Sequence, residues 1–353
     1  MDSVTQAVLG AGIQGALLGR SQGRRALLYG AVLATLPDLD VVVSYPDPVS
    51  AMTHHRGFSH SLFVLTAFAG LLCWTVRKRW PHAPYGAGRL FLALWLVLAT
   101  HPLLDAFTSY GTQLWWPLPA VPASWSTIFI IDPVFTLPLL VTVLAAAVFG
   151  MGAAAGRAPA WALAFCGLYL AFTVAGKHLA ESRARDALRA QGVAVDAVFS
   201  SPMPLNALLW RVVARSGDGY YEVVSGWLDR GPPESLRQPL NGELARALRD
   251  SPEHERLRWF TGGWLRYDAI GDELVVTDLR MGLPGFYTFR FVMARGAPDW
   301  RPVLPYRHPS SRGGMAELRA IGRRVLSQQP PLPLAEWAGR QLSPAREAGG
   351  PTP

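Results

Sequence analysis

Charged residues are scarce in this chain of 353 residues, at 16% of the total, against roughly 25% in an ordinary soluble domain. The shortage lies in one half, because residues 1–176 hold 15 charged side chains and no glutamate precedes Glu181. Two cysteines exclude a disulfide-rich scaffold, and a hydrophobic content of 50% excludes a disordered chain. The first half therefore has the composition of a membrane domain, and the second half that of a water-soluble one.

Lysine is almost absent too, since Lys78 and Lys177 are the only two and arginine supplies the rest of a net charge of +8. A basic balance can indicate nucleic-acid binding. Here the basic residues are scattered and form no stripe, so we predict no nucleic-acid partner. Cys73 and Cys166 lie in apolar runs and are predicted to be buried thiols.

Apolar runs of nearly bilayer-crossing length recur along the first half. About 20 residues cross the hydrocarbon core as a helix. We predict six transmembrane helices, over Val4–Gly19, Leu27–Tyr45, Phe58–Val76, Leu90–Phe107, Phe129–Phe149 and Ala158–Gly176. The first of these runs is short and rich in glycine and alanine, so five spans are the alternative.

Arginine and lysine in the short loops predict the orientation, because cytoplasmic loops carry an excess of them. Residues 20–25, residues 77–89 and Arg157 fall on one side of a six-helix arrangement, which should be cytoplasmic. The N-terminus and the C-terminal region would then lie on the outer side of the inner (cytoplasmic) membrane. Three basic residues that follow the last span weigh against this: Lys177, Arg183 and Arg185.

The second half changes character after Gly176 and predicts a small soluble α+β domain over residues 177–329, with a Pro- and Gly-rich, poorly ordered tail over 330–353. Residues 1–176 form the membrane domain. Strands are expected over Tyr220–Leu228, Leu257–Ala269, Glu273–Leu279 and Gly285–Arg295. Helices are expected over Lys177–Gln191, Leu240–Arg249 and Met315–Ser327.

Ionisable side chains interrupt the apolar runs of the first half. Such groups are costly at membrane depth and usually face a shared polar interior. In the six-helix arrangement all of them lie toward the outer face. They are His54, His55, His60, His101, Asp38, Asp40, Asp105 and Asp132.

The spacing of these residues suits a metal ion. His101 and Asp105 are four apart and share one face of a helix, and Asp38 follows Pro37, where the helix loosens. Imidazole and carboxylate together form the ligand set of catalytic zinc, with manganese or iron as alternatives. The predicted metal ligands are Asp38, Asp40, His55, His60, His101 and Asp105.

Three residues are candidates for catalytic work beside the metal. Asp40 could be a ligand or the general base. Arg56 could pair with a carboxylate or hold an anionic group of the substrate. Asp132 is the third, with an N-cap of the following helix as the alternative. No separate cofactor-binding residues are predicted. For the whole group, the alternative is a polar network that holds helices together.

Four short motifs give the chain a family likeness, with a fifth segment at residues 108–117. It resembles the YdjM-like inner-membrane proteins over roughly its first 150 residues, and this resemblance implies a membrane-embedded, metal-dependent hydrolase that uses the same six ligands. Many members have histidine where this chain has Gln6, so the site would hold fewer ions or use Gln6 for hydrogen bonding alone. The motifs are MDSVTQ at 1–6, LPDLD at 36–40, HRGFSHS at 55–61 and HPLLD at 101–105.

These observations predict a multi-pass membrane hydrolase that acts on a lipid-like or phosphoester substrate near the outer leaflet. A non-catalytic membrane scaffold or regulator is the alternative. A transporter that relays protons is a third hypothesis, which is disfavoured because the sequence has no second half similar to the first, as the internal repeats of transporters would give. The lipid bilayer is the expected partner, and the sequence leaves the oligomeric state open.

Overall fold

A computed structural model of the chain describes residues 1–152, 157–311 and 313–342. These residues form two compact units. The first, called the helical unit, comprises Met1–Val43 and His54–Ala175. The second, called the two-sheet unit, comprises Ser44–Thr53 and the chain from Gly176 onward.

The helical unit is built from helices that begin at side-chain caps. Asp2 accepts a hydrogen bond from the Thr5 amide at the start of α1, Ser61 caps α4, and Asp132 caps α6. Its elements are α1 (Ser3–Gln22), α2 (Arg25–Thr35), a 3-10 helix (Pro37–Val42), a second 3-10 helix (Phe58–His60), α4 (Leu62–Arg79), α5 (Ala87–Ala106), α6 (Pro133–Phe149) and the first part of α7 (Ala158–Ala190). Between the two 3-10 helices the chain forms α3 (Pro48–His54), which belongs to the two-sheet unit except for His54.

Two described helices are long and apolar enough to cross a membrane, α5 and α7. A third span results if the bent pair Pro48–His60 and Leu62–Arg79, which meet at 43°, counts as one. The prediction of six spans is therefore not confirmed. The run expected over Leu27–Tyr45 is broken, because α2 ends at Thr35 before Pro37. The last span and the helix expected after it form one helix of 33 residues.

Helices α1 and α2 make a close contact through glycines. A Cβ at Gly30 would collide with the Gly10 carbonyl oxygen and lie 2.7 Å from the Gln14 Cβ, and a Cβ at Gly10 would collide with the Ala34 Cβ. Small residues let two membrane helices approach in this way. The contact holds the chain that leads into the first 3-10 helix against α1.

We expect Gly30→Ala to destabilise the helical unit by about 1–3 kcal/mol, because the added methyl group must push α1 and α2 apart. The free energy of unfolding in detergent measures this. Gly70→Ala in α4 is the matched control, since nothing lies within 4 Å of a Cβ there, and its effect should be neutral or stabilising by about 1 kcal/mol. Equal effects of the two variants would contradict the prediction.

The two-sheet unit contains two antiparallel sheets of four strands each, whose strands are neighbours in sequence order. The first sheet has β1 (Ala197–Pro202), β2 (Leu209–Ser216), β3 (Gly219–Gly226) and β4 (Glu234–Pro239). The second has β5 (Leu265–Ile270), β6 (Glu273–Asp278), β7 (Arg290–Arg295) and β8 (Arg301–Arg307). The unit also contains α8 (Pro252–Phe260), α9 (Met315–Leu326), α10 (Leu334–Gly339) and the second part of α7.

Several expectations for this unit need correction. The strand expected over Leu257–Ala269 is wrong in its first part, because Ser251 caps α8 and the strand begins only at Leu265. The segment Leu240–Arg249 forms a 3-10 helix over Gly242–Leu248. The tail that the sequence predicts to be poorly ordered from residue 330 contains α10, which buries Trp337. The rest of that tail, residues 343–353, lies outside the described residues.

Candidate metal centre

Four ionisable side chains converge in the helical unit from three separate segments. Asp38 comes from the first 3-10 helix, His60 ends the second, and His101 and Asp105 share one face of α5. One ligand atom from each lies within 4.8 Å of the other three, and all but Asp38 are buried. We call these four residues the tetrad.

Five of the six distances between ligand atoms of the tetrad are those of a four-coordinate cation, and the sixth, between the two carboxylates, is within 4.8 Å. The two Nε2 atoms of His60 and His101 are 3.2 Å apart. Asp105 Oδ2 lies 3.3 Å from the Nε2 of His60 and 3.5 Å from the Nε2 of His101. Asp38 Oδ1 lies 3.5 Å from the Nε2 of His60 and 3.3 Å from the Nε2 of His101. A tetrahedron with ligands about 2.0–2.1 Å from its centre has edges of about 3.3–3.4 Å, and those are zinc distances for nitrogen and oxygen.

The hydrogen bonds of the two imidazoles leave a lone pair on each Nε2. The Ala34 carbonyl oxygen lies 2.6 Å from His101 Nδ1 and can only accept, so Nδ1 carries the proton. Ser59 donates to Asp40 over 2.8 Å, so its oxygen accepts from His60 Nδ1 over 2.9 Å. Four acceptor atoms therefore face one another, an arrangement that a cation would stabilise.

Cationic groups surround the deepest carboxylate, Asp105. Arg56 Nε lies 3.1 Å from Asp105 Oδ2, and the α-amino group of Met1 contacts Oδ1. Gln6 donates to Oδ1 over 3.3 Å and to the His101 carbonyl oxygen over 3.2 Å. Gln6 thus serves the site by hydrogen bonding. Within the described residues Asp105 Oδ2 accepts no hydrogen bond although it is buried, so this oxygen can serve as a ligand of a metal ion.

Asp40 lies beside the tetrad rather than in it. Its Oδ1 is 2.8 Å from His55 Nδ1, and its Oδ2 accepts from the Arg56 amide over 3.0 Å and from the Ser59 hydroxyl. Burial acts to raise the pKa of Asp40, but its hydrogen bond with His55 and the nearby imidazoles outweigh burial and keep the pKa below its usual value. Asp40 is therefore an ionised carboxylate whose two oxygens are both occupied.

Of the six predicted ligands, the structure groups Asp38, His60, His101 and Asp105 and leaves His55 and Asp40 as an adjacent pair. Arg56 is 4% exposed and turned toward Asp105. Asp132 takes no part in the tetrad. Its carboxylate caps α6 and accepts a hydrogen bond from the Tyr169 hydroxyl over 2.9 Å, as the alternative interpretation expects.

Sequence reasoning missed the residues that hold the loop between Asp40 and His60. Ser59 links Asp40 to His60, and Thr108 and Tyr110 contact the Arg56 guanidinium. Arg56 itself has a φ of 60°, in the left-handed region that a long side chain rarely adopts. This strained backbone aims the Arg56 amide at Asp40 and its side chain at Asp105. The Arg-Gly pair at 56–57 was the one signal of such a turn.

Apolar helices of membrane-crossing length, together with a buried cluster of His and Asp side chains, define a membrane protein with a candidate metal site. The family model for the YdjM inner membrane protein matches residues 1–180, more than half of the chain, and the chain belongs to this family. The match covers every residue of the tetrad and its surroundings. The expected family likeness is thereby confirmed.

Two curated relatives share parts of this region. The inner membrane protein YbcI of Escherichia coli (strain K12) is 38% identical over 96 residues, which are 27% of this chain and 54% of that protein. The uncharacterized protein YfhP of Bacillus subtilis (strain 168) is 31% identical over 122 residues, which are 32% and 36%. The chain thus spans about half or less of each relative. No solved structure matches the chain.

Proposed function

We propose that this chain is a metal-dependent hydrolase of the inner membrane that acts on a lipid-like or phosphoester substrate. The observation that carries the proposal is the tetrad, in which five of the six distances between ligand atoms are those of a four-coordinate zinc site. Zinc is the proposed ion, with manganese or iron as alternatives. When bound, such an ion would polarise the substrate and make water a stronger nucleophile at neutral pH.

His55 is the residue best placed to accept a proton from water. Asp40 holds its Nδ1, which leaves the Nε2 lone pair as a base, and its side chain is 23% exposed. Asp40 orients His55 and cannot easily act as the base, since both of its oxygens are occupied. Arg56 steadies Asp105 from the buried side of the site.

Access from one side supports a substrate with an apolar part. Asp38 is the tetrad member whose side chain is open, at 25% exposed. The 3-10 helix that carries it also exposes Leu39, Val41 and Val42, and Phe58 is exposed beside His60. An acyl chain could lie on these side chains while a polar head reaches Asp38. We propose that the chain is multi-pass, with this side and the C-terminal unit toward the outer face.

We expect purified protein in detergent to hydrolyse a chromogenic phosphoester or a lipid phosphate in mixed micelles, and chelation to abolish the turnover. His60→Ala should abolish it as well, while His82→Ala, a change at an exposed histidine outside the site, should not. Metal content measured on the same samples shows whether each loss follows the ion. Stoichiometric metal with no turnover on any of these substrates would overturn the hydrolase and leave the metal site standing.

A structural metal site is the second candidate. Zinc sites with four protein ligands are commonly structural, and three members of the tetrad are buried. In that case the chain is a membrane scaffold, and chelation would lower the unfolding temperature with no turnover to lose.

A further inference from the structure

Three leucines are exposed together on two neighbouring loops of the two-sheet unit. Leu205 and Leu208 lie in the loop from β1 to β2 and are 45% and 36% exposed, and Leu228 follows β3 and is 58% exposed. The Trp227 amide donates to the Leu208 carbonyl oxygen over 2.9 Å, which joins the two loops. We call these three residues the leucine patch.

The backbone of this patch is strained at its tip. Leu205 has a φ of 63°, a left-handed conformation that disfavours a side chain as large as leucine. Asn206 enforces it, because its Oδ1 accepts from the Leu208 and Leu209 amides over 2.9 and 2.8 Å and its Nδ2 donates to the Pro204 carbonyl oxygen. A strained backbone at an exposed apolar residue costs stability, and such strain is concentrated at functional positions, which points to a role for this loop.

The patch lies beside a defined level of α7. Gly176 packs so closely on the residues behind the patch that a Cβ there would lie 2.8 Å from Trp227 Nε1 and 3.0 Å from Trp210 Cζ2. Gly176 is also the last residue of the uncharged stretch of α7, since Ala158–Gly176 contains no charged residue and Lys177 follows. In a helix that crosses a bilayer, this is the level at which the hydrocarbon core gives way to headgroups.

The charges around the patch suit phosphate headgroups. Arg230 is exposed two residues after Leu228. The carboxylate between them, Asp229, is paired with Arg324 through two contacts of 2.7 Å, and Arg324 also contacts Glu234 over 3.1 Å. Exposed leucines next to a basic side chain can combine apolar contact with attraction to anionic headgroups, the two contributions that hold interfacial segments at a membrane.

We propose that the leucine patch inserts into the boundary between headgroups and acyl chains of the bilayer that α7 crosses. The two-sheet unit is then held to the membrane surface at the patch as well as by its helix. This inference rests on α7 as a span and is independent of the hydrolase.

The test places an environment-sensitive fluorophore on Leu205→Cys in the full chain, reconstituted in nanodiscs of phosphatidylcholine and phosphatidylglycerol. Cys73 and Cys166 are buried, so the label is selective. Asp218→Cys is the matched control, because Asp218 lies in the turn between β2 and β3, at the end of these strands opposite the leucine patch. We expect a blue-shifted emission at position 205, quenched by lipids with a nitroxide near the headgroup, and no such quenching at position 218.

Two further variants separate membrane contact from folding. Adding Leu208→Ser and Leu228→Ser to the labelled chain should reduce the quenching without changing the unfolding temperature. Leu205→Gly should raise the unfolding temperature in detergent, since glycine relieves the left-handed strain. Emission at 205 that matches 218 would overturn the proposal. So would emission that is shielded from water but insensitive to nitroxide lipids, because it would indicate a protein partner instead.

Discussion

The His60→Ala variant should purify with little bound metal, whereas the unaltered chain should hold about one ion. His60 supplies one of four ligand atoms, and its loss opens the site and leaves two carboxylates close together without a cation between them. The expected loss of affinity exceeds the 10- to 100-fold that the loss of an outer hydrogen bond costs. Elemental analysis of protein purified in detergent measures the stoichiometry.

Two matched variants make this expectation specific. Ser59→Ala removes the hydroxyl that holds His60 Nδ1 and spares all four ligands, so it should weaken metal binding by about 10- to 100-fold and no more. Asp132→Asn alters a carboxylate that caps α6 outside the tetrad and should leave the stoichiometry unchanged. If His60→Ala binds as much metal as Asp132→Asn, the tetrad is not a metal site.

Replacing Arg211 with methionine should cost the two-sheet unit about 3–5 kcal/mol, because it leaves Glu222 buried without its counter-charge. Both side chains are 1% exposed, and Arg211 donates to Glu222 over 2.8 and 2.6 Å. Arg211 also donates to the Leu279 carbonyl oxygen over 2.6 Å and so ties the first sheet to the residue after β6. Hydrogen exchange of the β2 and β3 amides measures the free energy of opening.

The double variant Arg211→Met with Glu222→Leu should recover most of that loss, since removing both charges leaves no unpaired buried ion. Arg237→Met is the control, because Arg237 pairs with Asp218 on the surface, with 61% and 91% of the side chains exposed. Its effect should stay within about 0.5 kcal/mol. A double variant as unstable as the single one would show that the hydrogen bonds of Arg211 to the Leu279 carbonyl oxygen and, over 3.2 Å, to the Tyr287 hydroxyl carry the effect, and not the buried charge.

Local patterns predicted much of the fold, and they failed where a cap or a distant contact decides the structure. The aromatic segment after Leu257 has strand-like composition, but Ser251 and Pro252 begin a helix ahead of it. The apolar run around Leu36 is long enough to span, but Pro37 ends the regular helix. Composition measures propensity, and in both places a single residue at an element boundary outweighed it.

The candidate metal site, like the fold, could be predicted from local patterns except where distant contacts decide the structure. Residue types and spacing were enough to include all four members of the tetrad, because His101 and Asp105 share a helix face and Asp38 follows a proline. Spacing could not separate them from Asp40 and His55, since that distinction depends on Ser59 and the left-handed Arg56. Nor could it place Gln6 beside Asp105, 99 residues away in sequence.

Ala34 has two neighbours that connect helix packing to chemistry. Its Cβ faces Gly10 of α1, and its carbonyl oxygen accepts a hydrogen bond from His101 Nδ1. A methyl group added at Gly10 would shift that oxygen and weaken its hydrogen bond with His101 Nδ1. That hydrogen bond is what keeps the lone pair of His101 Nε2 toward the tetrad. Natural selection for ion affinity would therefore act on Gly10 and Gly30, which touch no ion, and drift at these two glycines should be as rare as at the histidines.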